Sequence, residues 1–308
     1  MRLPILAALV AAVALGLAAC GSSSSSSASS SSADPPAQAA ATTTTASARS
    51  GAAQAGGACT AGAKAPPSKV PGAPLDTLLR VPAKARGHRA PLILALHFAS
   101  GTGSQMEQAT RYTPEAARAG FVVAYPTASQ NNFWGIGNDL DKLRQTLDAV
   151  ERVACIDPSR VYVSGISNGG FMASVLMCRM ADRIAAAVLF APGIGGTGTC
   201  APSRPVSMLE VHGTADPIVP YGGPNGEVPQ FVAGWARRDG CASRPTAQRR
   251  SAVVTIFRWP GCRGGAQVEH LRLTGGKHIE LLPQLRAAGV DPARTAWAFL
   301  RTHRLPAS

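Results

Sequence analysis

The sequence predicts an α/β protein with a mostly parallel sheet flanked by helices on both faces, and three observations carry that expectation. From about residue 70 onward, short apolar runs rich in β-branched residues alternate with longer helical stretches, the pattern of successive βα units. The strand runs are continuously apolar, as a strand covered on both faces must be, and not alternately polar. One of them, over residues 160–164, breaks into Gly165-Ile166-Ser167-Asn168-Gly169 and then into a helical pattern, a strand–turn–helix step.

In chain order, residues 1–19 come first and read as an export signal. Arg2 precedes an apolar run over 3–17, too short to span a bilayer as a mature helix. The run ends in Leu17-Ala18-Ala19-Cys20, which resembles the bacterial lipobox and makes Cys20 the expected lipidation site. Residues 20–65 are dominated by Ser, Ala and Thr and bury too little apolar surface to offset ordering, so they form a tether. A flexible chain of roughly 45 residues spans about 35–40 Å. Residues 66–308 then make one α/β domain, and the localisation expected is exported, held at the cell envelope by the lipid or secreted.

The formal net charge is +13, from 30 Lys and Arg against 17 Asp and Glu. The cations Arg80, Arg86, Arg160, Arg179, Arg249 and Arg301 are scattered, with no aromatic-interleaved stripe, so nucleic acid is not expected as a partner. Membrane contact is expected through the lipid anchor only, and the protein is expected to be a monomer. With Cys20 set aside, six of the seven cysteines remain, an even number suited to disulfides outside the reducing cytoplasm. Six cysteines allow fifteen pairings. Cys241 and Cys262 flank one irregular segment, Cys178 and Cys200 bracket a helix–strand step, and Cys59 with Cys155 follows by elimination. No zinc-ligand spacing occurs, and neither metal nor cofactor is expected.

Strands are predicted over 77–81, 92–97, 121–125, 160–164, 185–190, 206–211, 253–258 and 268–273. Helices are predicted over 104–119, 140–153, 168–180, 229–239 and 281–301, the last interrupted near Gly289 to Pro292.

The glycine-flanked Ser167 has the form of a nucleophile elbow, in which a serine projects from a sharp turn that only glycine neighbours permit. Such a serine needs a histidine to accept its proton and a carboxylate to orient that histidine. Asp216 lies where an apolar strand runs out through His212-Gly213-Thr214-Ala215-Asp216-Pro217. His278 follows the last strand in Gly275-Gly276-Lys277-His278. His212, beside the acid loop, reads as a histidine satisfied by local hydrogen bonds. The Asn168 N–H, with that of Phe98 or Ala99 from the loop after residues 92–97, would form the oxyanion hole. His97 and Trp134 are candidates for the substrate pocket, with the His97 ring holding the loop and Trp134 packing on the core as the alternative readings.

These residues together resemble the polyhydroxybutyrate depolymerase and feruloyl esterase branch of the α/β-hydrolases. The most specific stretch is Asp157-Pro158-Ser159-Arg160-Val161-Tyr162-Val163-Ser164-Gly165-Ile166-Ser167-Asn168-Gly169-Gly170, supported by the segments 231–241 and 295–300. The resemblance implies an α/β-hydrolase fold and ester hydrolysis through Ser167, Asp216 and His278, on hydroxyalkanoate oligomers or on feruloyl or acetyl esters of polysaccharides. It also implies a disulfide at Cys241 and Cys262. The chain departs from that family at Phe98, where the oxyanion loop usually has glycine, and at Ile279-Glu280, where Trp-Pro usually follows the histidine. Phe98 and Lys277 leave a second expectation open, a non-catalytic envelope lipoprotein that keeps the fold for binding.

Overall fold

Strand β2 (Ala90–Leu96) shows how the sheet is buried. Leu92, Leu94 and Leu96 enter one apolar cluster while Ile93 and Ala95 enter another, because successive side chains of a strand point to opposite faces. All seven residues are buried, so the run carries no polar alternation. The computed structural model describes residues 59–60, 64–194, 200–222 and 227–306. The expected signal 1–19, Cys20 and most of the tether 20–65 lie outside the described residues. The chain divides into two units, Met1–Ala46 and Ser47–Ser308, and every described residue belongs to the second.

Among the described residues the sheet has nine strands. Besides β2 they are β1 (Thr77–Arg80), β3 (Val122–Pro126), β4 (Ile156–Ile166), β5 (Ala186–Phe190), β6 (Ser207–Gly213), β7 (Thr246–Arg249), β8 (Val254–Trp259) and β9 (Val268–Leu273). The order is β1-β3-β2-β4-β5-β6-β9-β8-β7. The six central strands are parallel, whereas β1, β8 and β7 pair antiparallel. The sequence prediction misses β7 because its residues are polar and wholly exposed, as befits the terminal edge of a sheet. The segment between Cys241 and Cys262 is therefore a hairpin and not irregular.

Helices α1 (Gly103–Thr110), α2 (Tyr112–Ala119), α6 (Leu281–Ala287) and α7 (Pro292–Leu300) cover the face of Ile93. Helices α3 (Ile136–Val153), α4 (Asn168–Arg179) and α5 (Glu227–Arg238) cover the face of Leu92. The single helix expected over 104–119 is two, split at Arg111, whose φ of 58° is left-handed. Pro114 explains the split, since in an unbroken helix its ring would meet the carbonyl of Thr110. The break expected in the C-terminal helix occurs, with Asp291 capping α7 through the Arg294 N–H at 3.0 Å.

Disulfides join Cys59 to Cys155, Cys178 to Cys200 and Cys241 to Cys262. The first ties a residue of the assigned tether to the start of β4. The third, spanning 21 residues, fastens the chain just after α5 to the end of the β7–β8 hairpin. Replacing Cys241 and Cys262 together by alanine is expected to cost about 3 kcal/mol of unfolding free energy on the loop-entropy scale. Urea titration of variant and parent measures it. Among the described residues no helix is long and apolar enough to cross a membrane.

Candidate active site

Strand β4 lies at the middle of the parallel run, between β2 and β5, and hands the chain to α4 through Ser167. Ser167 has φ 55° and ψ −117°, a conformation costing on the order of 1–3 kcal/mol for a residue with a Cβ. The surroundings hold it there: the Ser167 N–H donates to Phe190 O at 2.9 Å, and Ser167 O accepts from Phe171 and Gly193 N–H at 2.9 and 3.0 Å. Glycines flank it out of steric necessity. A Cβ on Gly165 would lie 2.1 Å from Gly169 O, and one on Gly169 would lie 2.2 Å from Leu96 O.

The loops after β6 and β9 reach the same edge of the sheet. They are laced together: Thr214 N–H donates to Leu273 O, Ala215 N–H to Gly276 O, and Gly275 N–H to Thr214 Oγ1, each at 2.9 Å. That lacing brings three distant side chains into one line. Ser167 Oγ stands 2.8 Å from His278 Nε2, and His278 Nδ1 meets Asp216 Oδ2 at 2.6 Å. Asp216 Oδ1 in turn accepts the Ile218 and Val219 N–H groups, both at 2.8 Å. Burial works to raise the Asp216 carboxyl, but hydrogen bonds from His212 and His278 and from these two backbone amides outweigh it. They hold the group well below the usual carboxylate range.

The opposite wall is the loop from His97 to Gly101. The Asn168 N–H is among the first amides of α4, where a helix supplies no partner of its own. The Asn168 side chain is committed elsewhere, accepting Trp134 N–H at 2.7 Å and donating to Trp134 O at 3.2 Å. Ala99 is exposed and Phe98 partly so. His97 and Trp134 do not line an open pocket. Both are fully buried, and their rings lie 4.8 Å apart. The Trp134 indole donates to His97 O at 2.9 Å, and His97 bridges Phe98 O at 2.7 Å and the Ala128 N–H at 3.0 Å. Burial pushes the His97 imidazole down against the opposing effect of its bond to Phe98 O. The hydrogen bonds of both side chains go to holding the loop. Asp139 completes the wall by accepting Ser129 and Gly135 N–H at 3.1 and 3.0 Å.

Phe133, Ile218 and Ile279 are exposed large apolar side chains, at 53%, 57% and 79%; Phe133 and Ile279 are chain neighbours of Trp134 and His278, and Ile218 follows Asp216 by two residues.

His212 is locally bonded, as its sequence context predicts. Its Nδ1 meets Glu210 Oε1 at 2.9 Å, and its Nε2 faces Val219 O at 3.0 Å and Asp216 Oδ2 at 3.2 Å. Burial lowers its proton affinity, but hydrogen bonds to Asp216 and Glu210 and the Glu210 charge outweigh burial and push it up to about 10. A group raised in the folded state adds stability that is complete below its unfolded value of ~6.5 and lost as pH rises through its folded one. Stability is therefore expected to fall between pH 7 and pH 10, and to fall less in His212→Asn. Urea midpoints across that range measure the difference. Sequence reasoning leaves out Glu210, His270 and Tyr221, which belong to the same network. A glutamate inside the apolar run Met208-Leu209-Glu210-Val211 is the one sign of it.

A family model described as an alpha/beta hydrolase fold matches residues 98–223. With that match and the sheet described above, the chain has the α/β-hydrolase fold. Its relatives lie in the esterase branch. Feruloyl esterase B of Piromyces equi is 29% identical over 244 residues, 70% of this chain and 43% of that protein. Poly(3-hydroxyalkanoate) depolymerase C of Paucimonas lemoignei is 33% identical over 127 residues, 37% of this chain and 30% of that protein. The chain thus spans less than half the length of these relatives. The acetyl xylan esterase from Aspergillus awamori shares the fold with a TM-score of 0.55 at 18% identity, covering 70% of this chain and 92% of that one.

Proposed function

We propose that the protein is an exported serine hydrolase of carboxylic esters. The observation that carries this is the line from Ser167 through His278 to Asp216, at 2.8 and 2.6 Å, set on a left-handed elbow. Ser167 Oγ attacks the ester carbonyl carbon as its proton passes to His278 Nε2. The oxyanion that forms is met by the Asn168 N–H and by that of Phe98 or Ala99. His278 then gives the proton to the leaving alcohol oxygen, which leaves an acyl group on Ser167. A water molecule then gives a proton to His278 Nε2 and attacks that acyl carbon, the bond from the acyl carbon to Ser167 Oγ breaks as His278 returns the proton to Oγ, and the carboxylic acid is released.

The exposed apolar side chains of Phe133, Ile218 and Ile279, close in the chain to Trp134, Asp216 and His278, support a substrate with an apolar portion, such as a hydroxycinnamoyl ester of a polysaccharide or a hydroxyalkanoate oligomer. A small acetyl ester would make less use of them. The disulfides suit an oxidising compartment, and lipidation at Cys20 would hold the enzyme at the cell envelope. A fluorophosphonate probe is expected to label Ser167 stoichiometrically, with the modified peptide identified by mass spectrometry. The labelled protein should lose hydrolysis of p-nitrophenyl butyrate and of methyl ferulate in parallel. Absence of labelling in folded protein would instead mark a binding protein that keeps only the fold.

A further inference from the structure

Glu210 and His212 are two residues apart on β6 and so share one face of the sheet. Both are completely buried, in a core where an unpaired charge is costly. The acceptors reached by the His212 ring nitrogens are Glu210 Oε1, Asp216 Oδ2 and Val219 O, at 2.9, 3.2 and 3.0 Å. Two nitrogens that both face acceptors can both donate only as an imidazolium. Asp216 Oδ2 is also the atom that meets His278 Nδ1 at 2.6 Å. Two histidines therefore converge on one carboxylate oxygen, one from behind and one from the reacting side.

The rest of the surroundings keep His212 in place. From β9, His270 Nδ1 bonds Glu210 Oε2, and His270 Nε2 meets the Tyr221 hydroxyl at 2.9 Å. The Tyr221 ring lies 6.2 Å from the His212 ring, with Arg272 acting on Tyr221 from β9. The groups facing His212 are thus Glu210 on its own strand, Asp216, Val219 O and Tyr221 on the following loop, and His270 on β9, with His278 beyond Asp216.

We propose that His212 is a positioning residue, whose ring, clamped between Glu210 and Asp216, keeps the Asp216 carboxylate aimed at His278 Nδ1. The alternative is a histidine that only fills the core. The two differ in what they do to turnover. Asp216 Oδ1 is anchored by two amides, but Oδ2 is held from behind by His212 alone, so without that ring the carboxylate can rotate about its remaining bonds. Displacements on the scale of 1 Å at a reacting group cost roughly 100-fold in rate.

The inference rests on the esterase reading above, and its test separates the two. In His212→Gln, kcat for p-nitrophenyl butyrate per site titrated to completion with fluorophosphonate is expected to fall about 10- to 100-fold, with KM within about twofold. Glu210→Gln, which keeps the ring but removes the carboxylate behind it, is expected to lower kcat per titrated site by less, again with KM within about twofold, and it decides the matter if His212→Gln does not fold. A folded variant with unchanged kcat per titrated site overturns the role of His212. Failure of the parent protein to label at Ser167 overturns the esterase reading instead.

Discussion

Ser167→Ala is expected to lower kcat for p-nitrophenyl butyrate by on the order of 10⁴- to 10⁶-fold while leaving the fold intact. The hydroxyl is the one group in the line that forms a bond to the substrate, so no neighbour substitutes for it. Residual hydrolysis over water would come from the oxyanion donors alone. The backbone strain at φ 55° is carried equally by alanine, which also has a Cβ, and the three main-chain bonds that hold the turn do not involve the side chain. Melting followed by circular dichroism should therefore differ little from the parent. Retention of more than about one-hundredth of the parent rate in a preparation free of parent enzyme would contradict the role given to Ser167.

The elbow is legible in the sequence because its demands are local: a β-branched run, two glycines where backbone crowds backbone, and a helical pattern after. The acid and base are legible through their order and their place after strands. Their approach to Ser167 depends on the hydrogen bonds that lace the loops 213–216 and 273–278 together, which no local pattern announces. Of the two readings open for His97 and Trp134, the structure has the buried, loop-holding one. A histidine and a tryptophan in loops beside a reactive serine can serve as pocket walls, yet here the Trp134 indole donates to His97 O, the His97 ring bonds Phe98 O and the Ala128 N–H, and both side chains vanish into the core. The sequence shows the residue type, and the packing decides which way it faces. Strand β7 escapes notice because an edge strand needs no apolar side chains. The split between α1 and α2 is visible only when the ring of Pro114 is weighed against an otherwise helical run. Glu210 is the reverse case. Its charge within an apolar strand is plain in the sequence, but its purpose depends on His212 and His270 reaching it from two strands.

Asp216→Asn is expected to lower kcat by on the order of 10³- to 10⁴-fold, for a reason the hydrogen bonds specify. Oδ1 accepts two backbone N–H groups, so the amide oxygen of asparagine must stay there and its NH₂ must take the place of Oδ2. That NH₂ would face His278 Nδ1 and His212 Nε2, both of which donate to the carboxylate in the parent. His278 can relieve the conflict by moving its proton to Nε2, and in that tautomer it cannot take a proton from Ser167 Oγ. The geometry would be kept and the base lost, so KM should change far less than kcat. Stability should fall as well, by about 3–5 kcal/mol, since the buried His212 loses the carboxylate that shares its charge. The pH dependence gives an independent check. A carboxyl depressed in the folded state contributes stability that is present above its unfolded value of ~3.9 and lost as pH falls through the folded one. The parent is therefore expected to lose stability on acidification below about pH 4 more steeply than Asp216→Asn, in urea titrations between pH 5 and pH 3.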